Sequence, residues 1–223
     1  MNNAVDVSQL IEWRKSISPT EIASLRAKLN LHGEKVGIFL GSLHTDKRLD
    51  FLFSAADELQ HRLHDFEFII IGDGPLRNMV LDYATDRPWV HFVGAKHGRE
   101  KVMYLSLGQV MLNPGLVGLG ILDSFALRLP MVTTDCKLHS PEIAYLESGR
   151  NGLMVQDSLE SFVSGVADIM TNPALRASMA DACEDDSTLY SIDSMSNNFC
   201  DGILKACNFQ RIGKGKNENP PCS

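Results

Sequence analysis

No apolar run in this 223-residue sequence approaches the roughly 20 residues that a membrane-spanning helix requires, so no span is expected. The opening residues, MNNAVDVSQL, carry neither the basic nor the apolar region of a secretory signal. Paired cysteines are missing too. The five present, Cys136, Cys183, Cys200, Cys207 and Cys222, are odd in number and scattered, with no CxxC spacing. That argues against a disulfide framework and against a zinc site. They read as reduced thiols of a cytoplasmic protein, with Cys207 on an apolar helix face and Cys222 in a tail. Positive charge is in deficit, since 21 Lys and Arg stand against 28 Asp and Glu, for a formal charge of −7. A nucleic-acid surface needs clustered cations to neutralise phosphates, so that class of partner is set aside.

What is present is an ordinary globular composition, 44% hydrophobic. A chain of this length buries roughly 70% of its unfolded surface, enough for one domain without staples. Short apolar runs alternate with amphipathic ones. VGIFLG (Val36 to Gly41) and FEFIII (Phe66 to Ile71) read as buried strands. Between them Leu49, Leu52, Phe53, Ala56, Leu59 and Leu63 mark one helix face. Pro75 is expected to open a further helix, with Leu76, Met79, Val80 and Tyr83 inward. Strand, helix, strand and helix follow at Val90 to Val93, Glu100 to Leu107, Gln109 to Leu112 and Gly118 to Leu127. Strands at Pro130 to Thr134 and Gly152 to Gln156 flank a short helix from Pro141.

Capping signals stand at Ser18 with Glu21, Asp157 with Glu160, Ser140-Pro141 and Asn172-Pro173, and Gly149 reads as a helix stop. Strands apolar on both faces and separated by helices imply a doubly wound, Rossmann-like parallel sheet of about six strands. The domain is expected to span 1–208, with a disordered tail over 209–223. Ligands of such sheets sit beyond the carboxyl ends of the strands, where strand order reverses.

Three strand-end loops are unusual for plain connectors. Gly41 to Arg48 sets Ser42, Lys47 and Arg48 before a helix, where cations oppose the helix dipole. Its bland reading is a solvated turn. The second loop, Asn113-Pro114-Gly115-Leu116-Val117-Gly118-Leu119-Gly120, leaves backbone N–H groups bare before a helix, which suits an anion. Asp123, one turn in, could accept from a ribose hydroxyl pair. The bland alternative is that Gly118 and Gly120 merely permit a tight turn. The third loop, Lys137 to Glu142, carries His139, a residue type more often structural than catalytic in such a place, and Glu142 beside the cap.

In order and spacing these loops resemble the C-terminal, donor-binding domain of retaining glycosyltransferases of the GT-B fold, family 4. The resemblance runs from Asn3-Ala4-Val5-Asp6 to about Cys207. Gly41-Ser42-Leu43 with Asp46-Lys47 is similar to the family's phosphate-gripping elements, and Gly72-Asp73-Gly74-Pro75 to its second-strand turn. Phe92-Val93-Gly94 is similar to its base-side loop, and Asp123 falls on the second carboxylate of its glutamate-x7-glutamate element.

The resemblance implies a UDP- or GDP-hexose donor, retention at the anomeric carbon, and neither metal nor cofactor. Ser42, Lys47, Arg48 and the backbone of Val117, Gly118, Leu119 and Gly120 would hold the diphosphate. Gly94 and Asp123 would meet base and ribose, with Lys47 and Asp123 as the catalytic pair and His139 and Glu142 as further candidates. The acceptor and a catalytic histidine would come from an N-terminal domain ahead of Asn3. Without it the isolated domain is expected to be inactive and to expose an apolar patch through which it could form a homodimer.

Two departures stand out. Ser42 replaces a family arginine, and Gly115 sits where the first glutamate of the element belongs. Alternatives left open are half of a sugar-nucleotide 2-epimerase, a non-catalytic nucleotide-binding relative, and a flavodoxin-like domain with no nucleotide site.

Overall fold

The computed structural model describes residues 6–190, together with Ser196, Phe199, Cys200, Ile203 and Leu204. The expectations for Asn3 to Val5, Cys207, Cys222 and the tail lie outside the described residues. Two helices, α1 (Val7–Ser16) and α2 (Pro19–Leu29), precede the first strand. Then β1 (Lys35–Leu40), α3 (Leu49–Leu63), β2 (Phe66–Ile71), α4 (Arg77–Thr85) and β3 (Val90–Gly94) form the first half. The second half comprises α5 (Gly98–Leu105), β4 (Val110–Leu112), α6 (Gly120–Ala126), β5 (Met131–Thr134), β6 (Gly152–Val155), α7 (Leu159–Thr171) and α8 (Pro173–Leu189).

All strand pairs are parallel, and the six strands lie in the order β3-β2-β1-β4-β5-β6. The expected doubly wound sheet is therefore present. Helices cover both faces because β1, β2, β4 and β5 present apolar side chains to both. On one side Ile38, Ile69, Ile71 and Met111 meet α1, α5 and α6. On the other Phe39, Phe68, Ile70 and Leu112 meet α3, α4 and α7. Strand order reverses between β1 and β4, which opens a crevice at their carboxyl ends.

One buried strand residue is charged. Glu67 in β2 is buried, and its Oε1 accepts from the N–H groups of His32 and Gly33, both at 2.9 Å. His91 Nε2 lies 2.7 Å from Oε2. The carboxylate is fully partnered, which is what makes its burial tolerable.

Several expected boundaries shift for local reasons. Pro75 does not open α4: it lies in a turn, Leu76 is the N-cap, and the helix starts at Arg77. The capping pair at Asp157 and Glu160 is displaced by one residue. Ser158 is the cap of α7 and accepts from Ser161 N–H at 3.2 Å, while Asp157 bonds Arg48. The segment from Pro141 is a 3-10 turn (Pro141–Tyr145) in which the Ser140 side chain makes no cap bond. Gly149 does not end that turn but sits beyond it, with φ of 87°. Helix α6 is shorter than Gly118 to Leu127, having only seven residues.

The capping box at Ser18 forms as expected. Ser18 N–H donates to Glu21 Oε2 at 2.9 Å, and Glu21 N–H donates to Ser18 Oγ at 3.3 Å. The Ser18 backbone bond, followed by the Arg99 guanidinium, pulls the Glu21 carboxyl down from 4.5 to about 2. A carboxyl whose folded pKa is depressed adds stability that is present above its unfolded value and lost as pH falls toward the folded one. Glu21→Gln should therefore destabilise the protein near neutrality, and the gap between the two melting curves should close between pH 4.5 and 2. Thermal unfolding across that range checks this, and a constant gap would contradict it.

Candidate functional site

The loops after β1 and β4 meet across the crevice and are bonded to each other. Leu116 N–H donates to Asp46 O at 2.9 Å, and the Lys47 ammonium donates to Leu116 O at 2.5 Å. Asn113 Nδ2 reaches the same carbonyl at 3.2 Å. The approach is so close that a Cβ on Gly115 would lie 2.3 Å from Asp46 O and 2.7 Å from the Lys47 carbonyl carbon. Position 115 therefore cannot carry a glutamate without prising the loops apart, which gives the departure at Gly115 a steric cause.

Lys47 is only 8% exposed, and burial pushes its ammonium below the usual lysine value, with Asp46 partly opposing. Asp46 Oδ1 and Asn113 Oδ1, in the same pair of loops, are two of six buried side-chain N and O atoms without a partner among the described residues.

Arg48 extends the same clamp. Held in left-handed backbone with φ of 54°, it sends Nη1 to Pro114 O and Thr134 Oγ1, each at 3.2 Å, and to Asp157 Oδ1 at 2.6 Å. The same guanidinium also interacts with the Cys136 side chain and lies 4.6 Å from the centroid of the Phe51 ring. Thr134 Oγ1 also donates to Pro114 O at 2.9 Å.

His139 closes the far side of the loop. Val117 N–H donates to its Nδ1 at 3.2 Å, and its Nε2 lies 2.7 Å from Thr134 O. Since the carbonyl can only accept, Nε2 carries the proton and Nδ1 is the acceptor. Val117, expected among the diphosphate donors, is thus removed from that set because its N–H is already engaged. His139 fastens the glycine-rich loop to the end of β5.

Beyond Val117 the accounting changes. The N–H groups of Gly118 and Leu119 have no partner among the described residues, and Gly120 opens α6, where first-turn N–H groups have no intrahelical acceptor. Neither glycine has a positive φ. The nearest atom to an added Cβ would be 3.8 Å away at Gly118 and 3.7 Å away at Gly120. The turn therefore does not require glycine at either position, contrary to the bland reading. With so short a helix, bare amides rather than a macrodipole make this spot attractive to an anion.

Asp123, on α6, is 8% exposed. Burial raises its carboxyl pKa, against the pull of Lys101, whose ammonium lies 2.5 Å from Oδ1. Ser42 is exposed in the loop after β1, and Gly94 ends β3 on the same edge of the sheet, accepting from Gly72 N–H at 3.0 Å. Glu142 is buried in the 3-10 turn. Lys101, Asn113, Thr134 and Asp157 were not read from sequence as site residues. Lys101 lies 22 residues from its partner, and nothing in its local pattern sets it apart.

A parallel sheet with paired strand-end loops, a buried lysine and bare amides at its switch point defines a Rossmann-like domain. Residues 34–172 match the family described as Glycosyl transferases group 1, and the chain belongs to that family. It is 26% identical over 166 residues to the alpha-D-kanosaminyltransferase of Streptomyces kanamyceticus, covering 71% of this chain and 42% of that protein. The chain thus spans less than half the length of that relative.

Among solved structures it resembles Anabaena Alr3699/HepE in complex with UDP, with a TM-score of 0.72 at 15% identity, covering 91% of this chain and 56% of the other. It also resembles the C-terminal domain of a glycosyl transferase group 1 family protein (LpcC) from Francisella tularensis, with a TM-score of 0.66 at 18% identity. That match covers 84% of this chain and 99% of the other. These likenesses establish the GT-B-type α/β fold.

Gly115→Glu should lower stability by about 1–3 kcal/mol, the usual scale of overpacking, measured by urea unfolding. Unchanged stability would mean that the two loops are not locked together.

Proposed function

We propose that this chain is the donor-binding half of a glycosyltransferase that moves a hexose from a UDP- or GDP-sugar, with retention and without a metal ion. The observation that carries this reading is the pair Gly118 and Gly120, which have room for side chains yet keep bare amides at the switch point. Family membership and the UDP named in the complex of Alr3699/HepE support it.

In this reading the amides of Gly118, Leu119 and Gly120 meet the diphosphate, and the Ser42 hydroxyl adds a neutral contact. The Lys47 ammonium, with one donor committed to Leu116 O, and the Arg48 guanidinium supply positive charge. Negative charge grows on the diphosphate as the bond to the sugar breaks, so these fixed groups favour the transition state over the bound ground state. They act where other transferases place a divalent cation. Asp123 Oδ2, which has no partner among the described residues, accepts from the ribose, and Gly94 lies toward the base. The acceptor domain faces the strand-end loops, where Leu119 and Leu138 are 43% and 49% exposed. We assign residues 1–208 to the donor domain and place the full enzyme in the cytoplasm.

A second reading, a nucleotide-binding relative without transferase activity, is favoured by the steric exclusion of a carboxylate at Gly115. Transfer assays on a full-length protein separate the two.

Calorimetric titration with UDP, GDP and ADP should show saturable binding of one nucleotide, weakened in Lys47→Ala and Asp123→Ala. Absence of binding by all three up to millimolar concentration would count against a donor site in this chain. Gly118→Ala offers a sharper check. Its backbone suits alanine, so stability should hold or rise by about 0.4–1 kcal/mol. Alanine keeps the N–H, but its methyl would stand in the way of an anion seated on that amide, so nucleotide affinity should fall roughly tenfold, a loss on the scale of one hydrogen bond to a charged group. Unaltered affinity would show that the bare amides do not touch the ligand.

A further inference from the structure

We propose that Lys101 is a positioning residue for the ribose-binding carboxylate: it anchors Asp123 from a neighbouring helix so that one oxygen alone is offered to the ligand. The inference rests on the reading of Asp123 given above and adds a residue from α5 that no loop motif contains.

The geometry sets the argument. Asp123 is on the first turn of α6 and nearly buried, so an unpaired carboxylate there would tend to protonate. The Lys101 ammonium approaches Oδ1 to 2.5 Å, while Oδ2 has no partner among the described residues. A carboxylate held at one oxygen has a fixed rotamer and keeps its charge. Its other oxygen remains an acceptor, which a ribose hydroxyl pair requires and a protonated acid supplies poorly.

Other charged groups on the elements around α6 are committed elsewhere, and Lys15 of α1 is exposed. Arg14 of α1 and Arg128, just beyond α6, both bond Glu184 of α8. Arg150 bonds Asp186 of α8, and Glu142 is buried in the 3-10 turn. Lys96 and Glu100, beside Lys101, bond each other at 2.8 Å. None of these bonds Asp123, so the charge state of Asp123 depends on Lys101.

Burial and Lys101 act on Asp123 in opposite directions. With the cation removed, the carboxyl titrates higher, and the difference from wild type is greatest between the two midpoints. Two readouts test this on the same chain. The first is the Asp123 carboxyl carbon, followed by NMR against pH in wild type, Lys101→Met and Lys101→Arg. The second is the UDP dissociation constant of the same three proteins across the pH range that brackets those carboxyl midpoints. The titration of UDP's own phosphate is common to all three and cancels in the ratio to wild type.

Lys101→Met should raise the Asp123 midpoint by about one unit or more. It should also weaken UDP binding by a ratio that grows roughly tenfold as pH falls through the new midpoint. Lys101→Arg should stay near wild type in both. An unmoved midpoint, or a loss of affinity that is the same at every pH, would overturn the proposal. If Lys101→Met fails to fold, Lys101→Gln takes its place with the same expected outcome. If wild type binds GDP rather than UDP, GDP serves as the probe; failure to bind either would remove the donor-site reading instead, and the carboxyl titration would still decide whether Lys101 governs Asp123.

Discussion

The contact between the loops after β1 and β4 is the constraint on which the site depends. Leu116 is bonded through its amide to Asp46 and through its carbonyl to Lys47, and Gly115 is pressed against the backbone of both residues. Those bonds bridge the two strands at which the sheet reverses its order, where a doubly wound fold would otherwise leave two separate connectors. Once Leu116 is fixed, the direction of Val117 follows. His139 then holds that residue from the other side, and the chain leaves the clamp at Gly118 with its amides unspent.

The clamp explains how one short loop can be rigid and bare at once. Its first half is bonded by Asp46, Lys47, Arg48, Thr134 and His139, side chains and backbone drawn from the ends of β1 and β5. Its second half has no such partners. A flexible loop would have to order itself around an anion and lose affinity in doing so, whereas this one is ordered by protein contacts beforehand. The arrangement also leaves polar atoms of Asp46 and Asn113 buried without partners. Such atoms cost stability, and their concentration beside a candidate site fits the expectation that local rules are broken where function requires it.

Charge is handled in the same economical way. Lys47 and Asp123 are both nearly buried, yet their partners differ: Lys47 is held by a neutral carbonyl and Asp123 by a lysine. Burial therefore lowers the pKa of Lys47 with little to offset it, while Asp123 is kept closer to ionisation by its counter-ion. A neutral partner leaves the ammonium's charge unmatched and available to an incoming anion. At the far end of the sheet the buried pair Glu67 and His91 shows the opposite case, a carboxylate whose acceptors are all occupied by the protein.

Alternating apolar runs in the sequence were sufficient to establish a six-stranded parallel sheet with helices on both faces, because burial on both sides forces that composition on β1, β2, β4 and β5. Local signals also placed the loops that flank the crevice, and the capping box at Ser18 formed as its spacing implied. Boundaries set by competition between neighbours were harder to read. Asp157 looked like a helix cap until Arg48 took its carboxylate, and Ser158 became the cap. Only the tertiary structure showed that Gly115 is glycine for lack of space while Gly118 and Gly120 are glycine despite having it. The same holds for the loss of Val117 to His139 and for the pairing of Asp123 with Lys101. These are contacts between residues distant in sequence, and local periodicity carries no information about which two loops or helices will meet.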